Sequence, residues 1–398
     1  MQHPHPPLRA GLVLERPMEQ GRVVPGKEEY VRELLVHAFD TLGMEPKQAS
    51  VVLTYKATTP PEHTWQTARA LLRGEGLQVQ GVCLLSEPSL ASRAMGMVTG
   101  TLVDIGEFGV HVTPVFEGEP VMRAACSGLV GASHVTAFLA SMLLSRANEG
   151  FNQMLPHRQH EYARVLKEEH AYVAEDFLAE ARSKGRFARK TLRVIAGAEV
   201  PDKLNDHQAC SSDTPESKEM DDPVSTTFTQ KNGDLLELKV GLERFHAPEL
   251  LFQPGLWGGA PKQGTDHAPS LQALIASAIT DCDPDIRARL ASDIVLVGNT
   301  ARIPGLTRRV EAEVKRKLPQ HLSGRVSVRA MGADILKPSG SNPASRATPS
   351  AVVMGVQKLV GDWRDETNKS NPWSPRWILP PDCDEDTPGK VERMYNLN

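Results

Sequence analysis

Apolar residues recur along this chain in two rhythms, one helical and one of period two, and the points where the rhythm changes mark its elements. A short strand-like piece lies in LVLERPM, 12–18, and closes on a turn at Glu19 to Gly21. From about Lys27 the helical rhythm begins, with Tyr30, Val31, Leu34, Leu35 and Phe39 predicted on one face. QASVVLTY, 48–55, reads as a buried strand, followed by a proline turn and a helix. GLQVQGVCLLS, 76–86, is a second strand that runs into Ser86-Glu87-Pro88-Ser89 and another helix. Residues 100–118 then read as a hairpin: an apolar run Thr101 to Val103, the acid Asp104, a glycine turn from Gly106 to Gly109, and a second run Val110 to Phe116.

Beyond a turn punctuated by Gly128 and Gly131, a helix is predicted through Val135, Phe138, Leu139 and Leu143. The stretch 162–184 reads as one further helix with Val165, Leu166, Tyr172, Val173 and Phe177 inside. From about 191 to 227 the composition turns to Ser, Asp, Glu and Pro without periodicity, which predicts a polar surface insertion. A hairpin turn is expected at Asn232-Gly233, and later an apolar strand Ile294 to Val297, a turn Gly298 to Pro304 and a basic amphipathic helix. Strand and helix in alternation, then a hairpin, predict a mixed α/β protein.

Composition narrows the function classes. The chain has 398 residues, enough for two or three compact units, with 40% hydrophobic and 24% charged residues and a formal net charge of −4. That charge gives no electrostatic reason to expect direct nucleic-acid binding or an anionic membrane surface. No run reaches the roughly 18 to 20 apolar residues of a membrane span, and MQHPHPPLRAG lacks the apolar core of a signal peptide. Cytosol or nucleus is the expected compartment. Cys83, Cys126, Cys210, Cys282 and Cys383 are far apart and odd in number, so they read as free thiols rather than a disulfide framework or zinc site.

The hairpin at 100–118, the string GLERFHAPELLFQPGL at 241–256 and the helix–strand–turn–helix segment around Ile294 to Val297 together resemble the actin superfamily. The resemblance runs from about Leu14 to Lys358, interrupted by the insertion. It implies an actin-like fold with two ribonuclease H-like lobes. The implied divisions are a truncated first large lobe at 11–94, the second large lobe at 95–129 and 259–349, an outer lobe at 130–258 carrying the insertion 191–227, and a return to the first lobe with a divergent Trp/Pro-rich tail at 350–398. The family's first phosphate hairpin would precede Leu14, where about a dozen residues stand, so that hairpin and most of the small capping lobe are expected to be missing.

The resemblance also implies a site for ATP or ADP with Mg. Asp104 and Gly106 fall on the second phosphate hairpin, Asp104 being a metal-shell acid or simply a turn-forming residue. His111 matches a histidine near the attacking water. Glu87 stands where conventional actin has glutamine, and it reads either as a group that polarises water or as an acid favoured at a helix N-terminus. Lys167 and Glu168 match a pair against base and ribose; their bland alternative is a solvated helix face. Gly298 and Thr300 match the adenine-side turn, while Phe108 and Asn299 replace glycines and the base-side lysine falls at about Thr348. Gln357 and Lys358 are expected on the wall of an otherwise apolar partner cleft. The half-retained site admits weak nucleotide binding and argues against hydrolysis.

The leading expectation is therefore a non-conventional actin-related protein, a structural or scaffolding subunit of a cytoskeletal or chromatin-associated complex. Its partners would be other proteins, actin or another actin-related protein among them, and it would not polymerise alone. The alternative is a slowly hydrolysing actin-like ATPase. A chaperone-like or sugar-kinase relative is disfavoured by the 241–256 string.

Overall fold

The computed structural model describes residues 18–19, 22–145, 149–183, 224–229, 235–263, 266–331, 350–364 and 377–380. Two short strands, β1 (Met18–Glu19) and β2 (Arg22–Val23), pair antiparallel ahead of α1 (Glu28–Leu42). Next, β3 (Ser50–Tyr55), α2 (Pro61–Arg73) and β4 (Gly81–Ser86) form a βαβ unit with parallel strands, Ser50 opposite Gly81 and Tyr55 opposite Ser86. Phe39, Leu71, Leu72, Leu77, Val82 and Leu84 make its core. The other edge of β4 is bridged by Ile378, whose N–H and C=O both pair with Val82.

This unit corrects two expectations. Val31 and Phe39 of α1 are buried, but Tyr30 and Leu34 are 45% and 56% exposed. The helix meets its small core only through Leu35, Val36 and Phe39, a line narrower than the predicted face. Val51 to Thr54 are half-buried rather than buried, because among the described residues β3 pairs on one edge only.

After α3 (Glu87–Ala94) come β5 (Gly100–Ile105), β6 (Val110–Phe116), β7 (Glu119–Pro120), β8 (Cys126–Gly128), α4 (Ala132–Ser145), α5 (Glu149–Asn152), α6 (Pro156–His170) and α7 (Phe177–Ser183). Then follow β9 (Val224–Thr229), β10 (Leu235–Val240), α8 (Glu243–His246), β11 (Lys262–Gln263), β12 (Asp266–His267), α9 (Leu271–Thr280) and α10 (Pro284–Ser292). The last described elements are β13 (Ile294–Val297), α11 (Leu306–Lys317), α12 (Gln320–Ser323), β14 (Val328–Ala330) and α13 (Ala351–Arg364).

The main sheet has the order β14-β13-β5-β6-β7, with β8 also on β6. The predicted hairpin forms with Asp104 opposite His111, and β13 lies parallel to β5. Both faces of this sheet are covered, which is why its strands read as continuous apolar runs. Val103, Ile105, Ile294 and Leu296 join the large core with α4, α6, α9 and α11, whereas Leu102, Val295 and Val297 face α3 and α13. The last two helices touch closely: a Cβ on Gly355 would lie 2.1 Å from the Leu90 carbonyl oxygen, so glycine is required there. One turn on, Lys358 Nζ donates to the Ala94 carbonyl at 2.9 Å. Lys358 and Gln357 are exposed, and the lysine caps the C-terminus of α3.

The single helix expected over 162–184 is two, α6 and α7. Between them Tyr172 N–H donates to the Arg244 carbonyl and Val173 N–H to the Pro304 carbonyl, long-range bonds that pull the backbone out of the helix before Asp176 caps α7. The polar insertion lies outside the described residues as far as 223, but its last four residues, 224–227, belong to β9, which pairs with β10. The Asn232-Gly233 turn between these strands, Thr348 and most of the tail are also outside the described residues. Among the described residues no helix is long and apolar enough to cross a membrane.

His246 of α8 gives the fold a pH dependence. Its ring lies 5.4 Å edge-on from Phe138 and 5.5 Å from Phe177, its Nε2 is buried without a partner, and burial lowers its pKa from 6.5 to about 4. Above pH 6.5 folded and unfolded chains both carry it neutral. Below that, the unfolded chain takes up a proton that the folded one refuses, so stability falls by up to about 1.4 kcal/mol per pH unit until roughly pH 4. Denaturant midpoints measured between pH 7 and 5 should fall less steeply for His246→Leu than for the parent chain; equal slopes would refute the assignment.

Candidate functional site

Parallel strands collect chemistry at their carboxyl ends, and four strand ends meet here. Lys56 follows β3, Glu87 follows β4, Asp104 lies one residue from the end of β5, and Gly298 follows β13. Together with Thr54, His111, Thr113, Leu102 and the first turn of α13 they line a cavity of about 360 Å³. Gly298 has φ +93°, and a Cβ on it would lie 2.5 Å from the Ile105 carbonyl oxygen and 3.2 Å from Asp104 Oδ1. Glycine therefore lets β13 turn away directly behind the aspartate.

The residue that organises the cavity is one the sequence reading did not single out. Lys56 Nζ donates to Asp104 Oδ2 at 3.0 Å and lies 3.5 Å from Glu87 Oε2. Burial opposes its charge, but Asp104 and Glu87 outweigh burial and raise its pKa. Thr54 Oγ1 donates to Glu87 Oε1 at 3.2 Å, and Thr58 Oγ1 lies 3.1 Å from His111 Nδ1. Burial, then the charge of Lys56, lowers the His111 pKa to about 4, so its imidazole is neutral near pH 7. The lining thus carries one cation against two carboxylates. Glu87 is the first residue of α3, where the helix dipole favours an acid, and its carboxylate lines the cavity.

The remaining candidates stand elsewhere. Gly106 holds the hairpin turn closed, its N–H bonded to the Gly109 carbonyl and its own carbonyl taken by Ala132 N–H; Glu107 O accepts from Ser133 N–H. Lys167, 7% exposed on α6, donates to the Ala132 carbonyl at 3.1 Å and Thr136 Oγ1 at 2.8 Å, and burial lowers its pKa. Its neighbour Glu168 is exposed and paired with Arg164 at 3.0 Å. Thr300 is buried in the turn after Gly298, its carbonyl accepting from Ile303 N–H. The structure therefore brings Glu87, Asp104, His111 and Gly298 to one cavity and leaves Gly106, Lys167, Glu168 and Thr300 outside its lining.

A divalent ion with nucleotide would have to share Asp104 with an ammonium already in contact with it. Among the described residues no group of three His, Cys, Asp or Glu is placed to hold a metal. The residues present do not fit that ion. Lys56 was hard to see because a lysine just past an apolar strand, in TYKATTPP, ordinarily reads as solvated. Only the parallel pairing of β3 with β4 places it beside two acids from other strands.

Residues 2–337 match the family model described as Actin. Among curated proteins the chain is 28% identical over 312 residues to actin-related protein 2 of Saccharomyces cerevisiae, covering 78% of this chain and 66% of that one. It is 25% identical to actin-related protein 3 of Neurospora crassa, covering 74% and 58%, and 27% identical to actin-related protein 4 of Arabidopsis thaliana, covering 76% and 66%. The chain thus spans about two thirds or less of the length of these relatives.

Proposed function

Because the chain belongs to the actin family, we propose that it is a non-conventional actin-related protein that works as a structural or scaffolding subunit of a multiprotein complex, cytoskeletal or chromatin-associated, with weak or no ATP hydrolysis. The observation that carries this reading is the state of the pair that the family resemblance assigns to base and ribose: Lys167 is buried and bonded to Ala132 and Thr136, and Glu168 is turned to solvent and paired with Arg164. A nucleotide would have to break those bonds to recruit them. Cytoplasm or nucleus is the proposed location, and proteins of the same family are the proposed partners.

The test is the purified chain at high concentration with ATP and Mg, followed by sedimentation, electron microscopy and phosphate release. Expected are no filaments and no phosphate release above background; filaments of the chain alone would sink the scaffolding reading. A second reading, a slow ATPase, is favoured by the convergence of Glu87, Asp104 and His111 on one cavity. It requires phosphate release that Asp104→Ala abolishes.

A further inference from the structure

We infer that Lys56 is a built-in counter-cation, an ammonium supplied by the chain itself where Asp104 and Glu87 converge, so that this cavity neither needs nor admits a divalent ion. Its Nζ lies 3.0 Å from Asp104 Oδ2 and 3.5 Å from Glu87 Oε2. A magnesium ion takes oxygen ligands at about 2.0–2.1 Å in octahedral geometry. An ion bound to Asp104 Oδ2 would therefore crowd the ammonium, and the two cations would repel each other at close range. One of them has to leave.

The backbone positions of both acids are set by elements other than the lysine. Glu87 begins α3 and accepts from Thr54 Oγ1, and Asp104 sits in the β5–β6 ladder opposite His111 with Gly298 behind it. The cation is the variable part of the arrangement. Lys56 is tethered to the end of β3 and its side chain is only 27% exposed, which favours its holding the place against a mobile ion. If the lysine is removed, two carboxylates face one cavity beside His111. Such a pair either takes up a proton or recruits a cation. The inference does not rest on the scaffolding reading, because its readout is stability rather than assembly or turnover.

The test measures the thermal midpoint of the full chain in EDTA and in millimolar MgCl2 or MnCl2, for the parent, Lys56→Met and Lys56→Arg. The parent should move by less than about 1 °C between these conditions, and Lys56→Met should fall by at least about 3 °C in EDTA and recover with either ion. Lys56→Arg, which keeps the charge, should behave as the parent. Lys56→Met/Glu87→Gln leaves a single carboxylate and should fold without responding to either ion, which keeps the test open if Lys56→Met is poorly stable. A parent chain stabilised by several degrees, or binding MnCl2 tightly by electron paramagnetic resonance, would overturn the inference. So would Lys56→Met that is indifferent to both ions or stays unfolded in their presence, or a double variant as ion-dependent as the single one.

Discussion

Replacing Arg309 with methionine is expected to cost about 3–5 kcal/mol of folding stability, the range for removing one partner of a buried ion pair. The side chains of Arg309 and Glu249 are 6% and 1% exposed, and the guanidinium reaches the carboxylate through two bonds, 2.8 Å to Oε1 and 3.1 Å to Oε2. Arg309 also donates to Glu313 at 2.8 Å and to the Ala174 carbonyl at 3.0 Å, and it stacks 4.8 Å over Phe252. Methionine would leave Glu249 buried with only Gln253 as a donor, 2.9 Å away, and with the charge of Glu313 nearby. The reverse change, Glu249→Ala, should cost less, because Glu313 still neutralises Arg309. The double change Arg309→Met/Glu249→Leu should cost clearly less than the sum of the singles, since no unpaired charge is then left in the core. Urea midpoints at pH 7 decide the matter. Either single change within about 1 kcal/mol of the parent would mean that the pair is hydrated and contributes little.

That pair also marks where sequence reading stops. Glu249 lies in GLERFHAPELLFQPGL, which carries the family resemblance, but its partner stands 60 residues on, in a helix that read only as basic and amphipathic. The hairpin of β5 and β6, the strand β13 and the helix α11 were legible because each is specified locally, by alternation, turn glycines and helical spacing. The break between α6 and α7 was not legible, since it depends on bonds from Tyr172 and Val173 to Arg244 and Pro304. The site divides the same way. Asp104, His111 and Glu87 could be placed from their own motifs. Lys56 acquires meaning only from strand pairing, and the commitment of Lys167 to Ala132 and Thr136 only from the packing of α6 on α4.

The largest effect expected in the first βαβ unit comes from the tail, which read as divergent and outside family pattern. Ile378 is fully buried among Leu71, Leu72, Leu77, Val82 and Leu84, and exchanges two backbone hydrogen bonds with Val82 at 3.0 and 2.8 Å. Arg73 on α2 fastens the same segment by donating to the Pro380 carbonyl at 2.9 Å. Ile378→Ala removes most of a side chain from a small core and should cost about 2–5 kcal/mol. Ile378→Asp should cost more, because an aspartate there must either stay charged in an apolar site or be protonated. Its neighbour supplies the control: Leu379 is 48% exposed, so Leu379→Asp should change stability by no more than about 0.5 kcal/mol. Since β3 and β4 pair only with each other and with Ile378 among the described residues, the loss should be local. Hydrogen exchange on Ile378→Ala should therefore rise first at amides of β3, β4 and α2, while β5 and β13, inside the larger sheet, stay protected. If Leu379→Asp proves as harmful as Ile378→Asp, or exchange rises equally in both sheets, the tail does not act as a strand-like clip on β4.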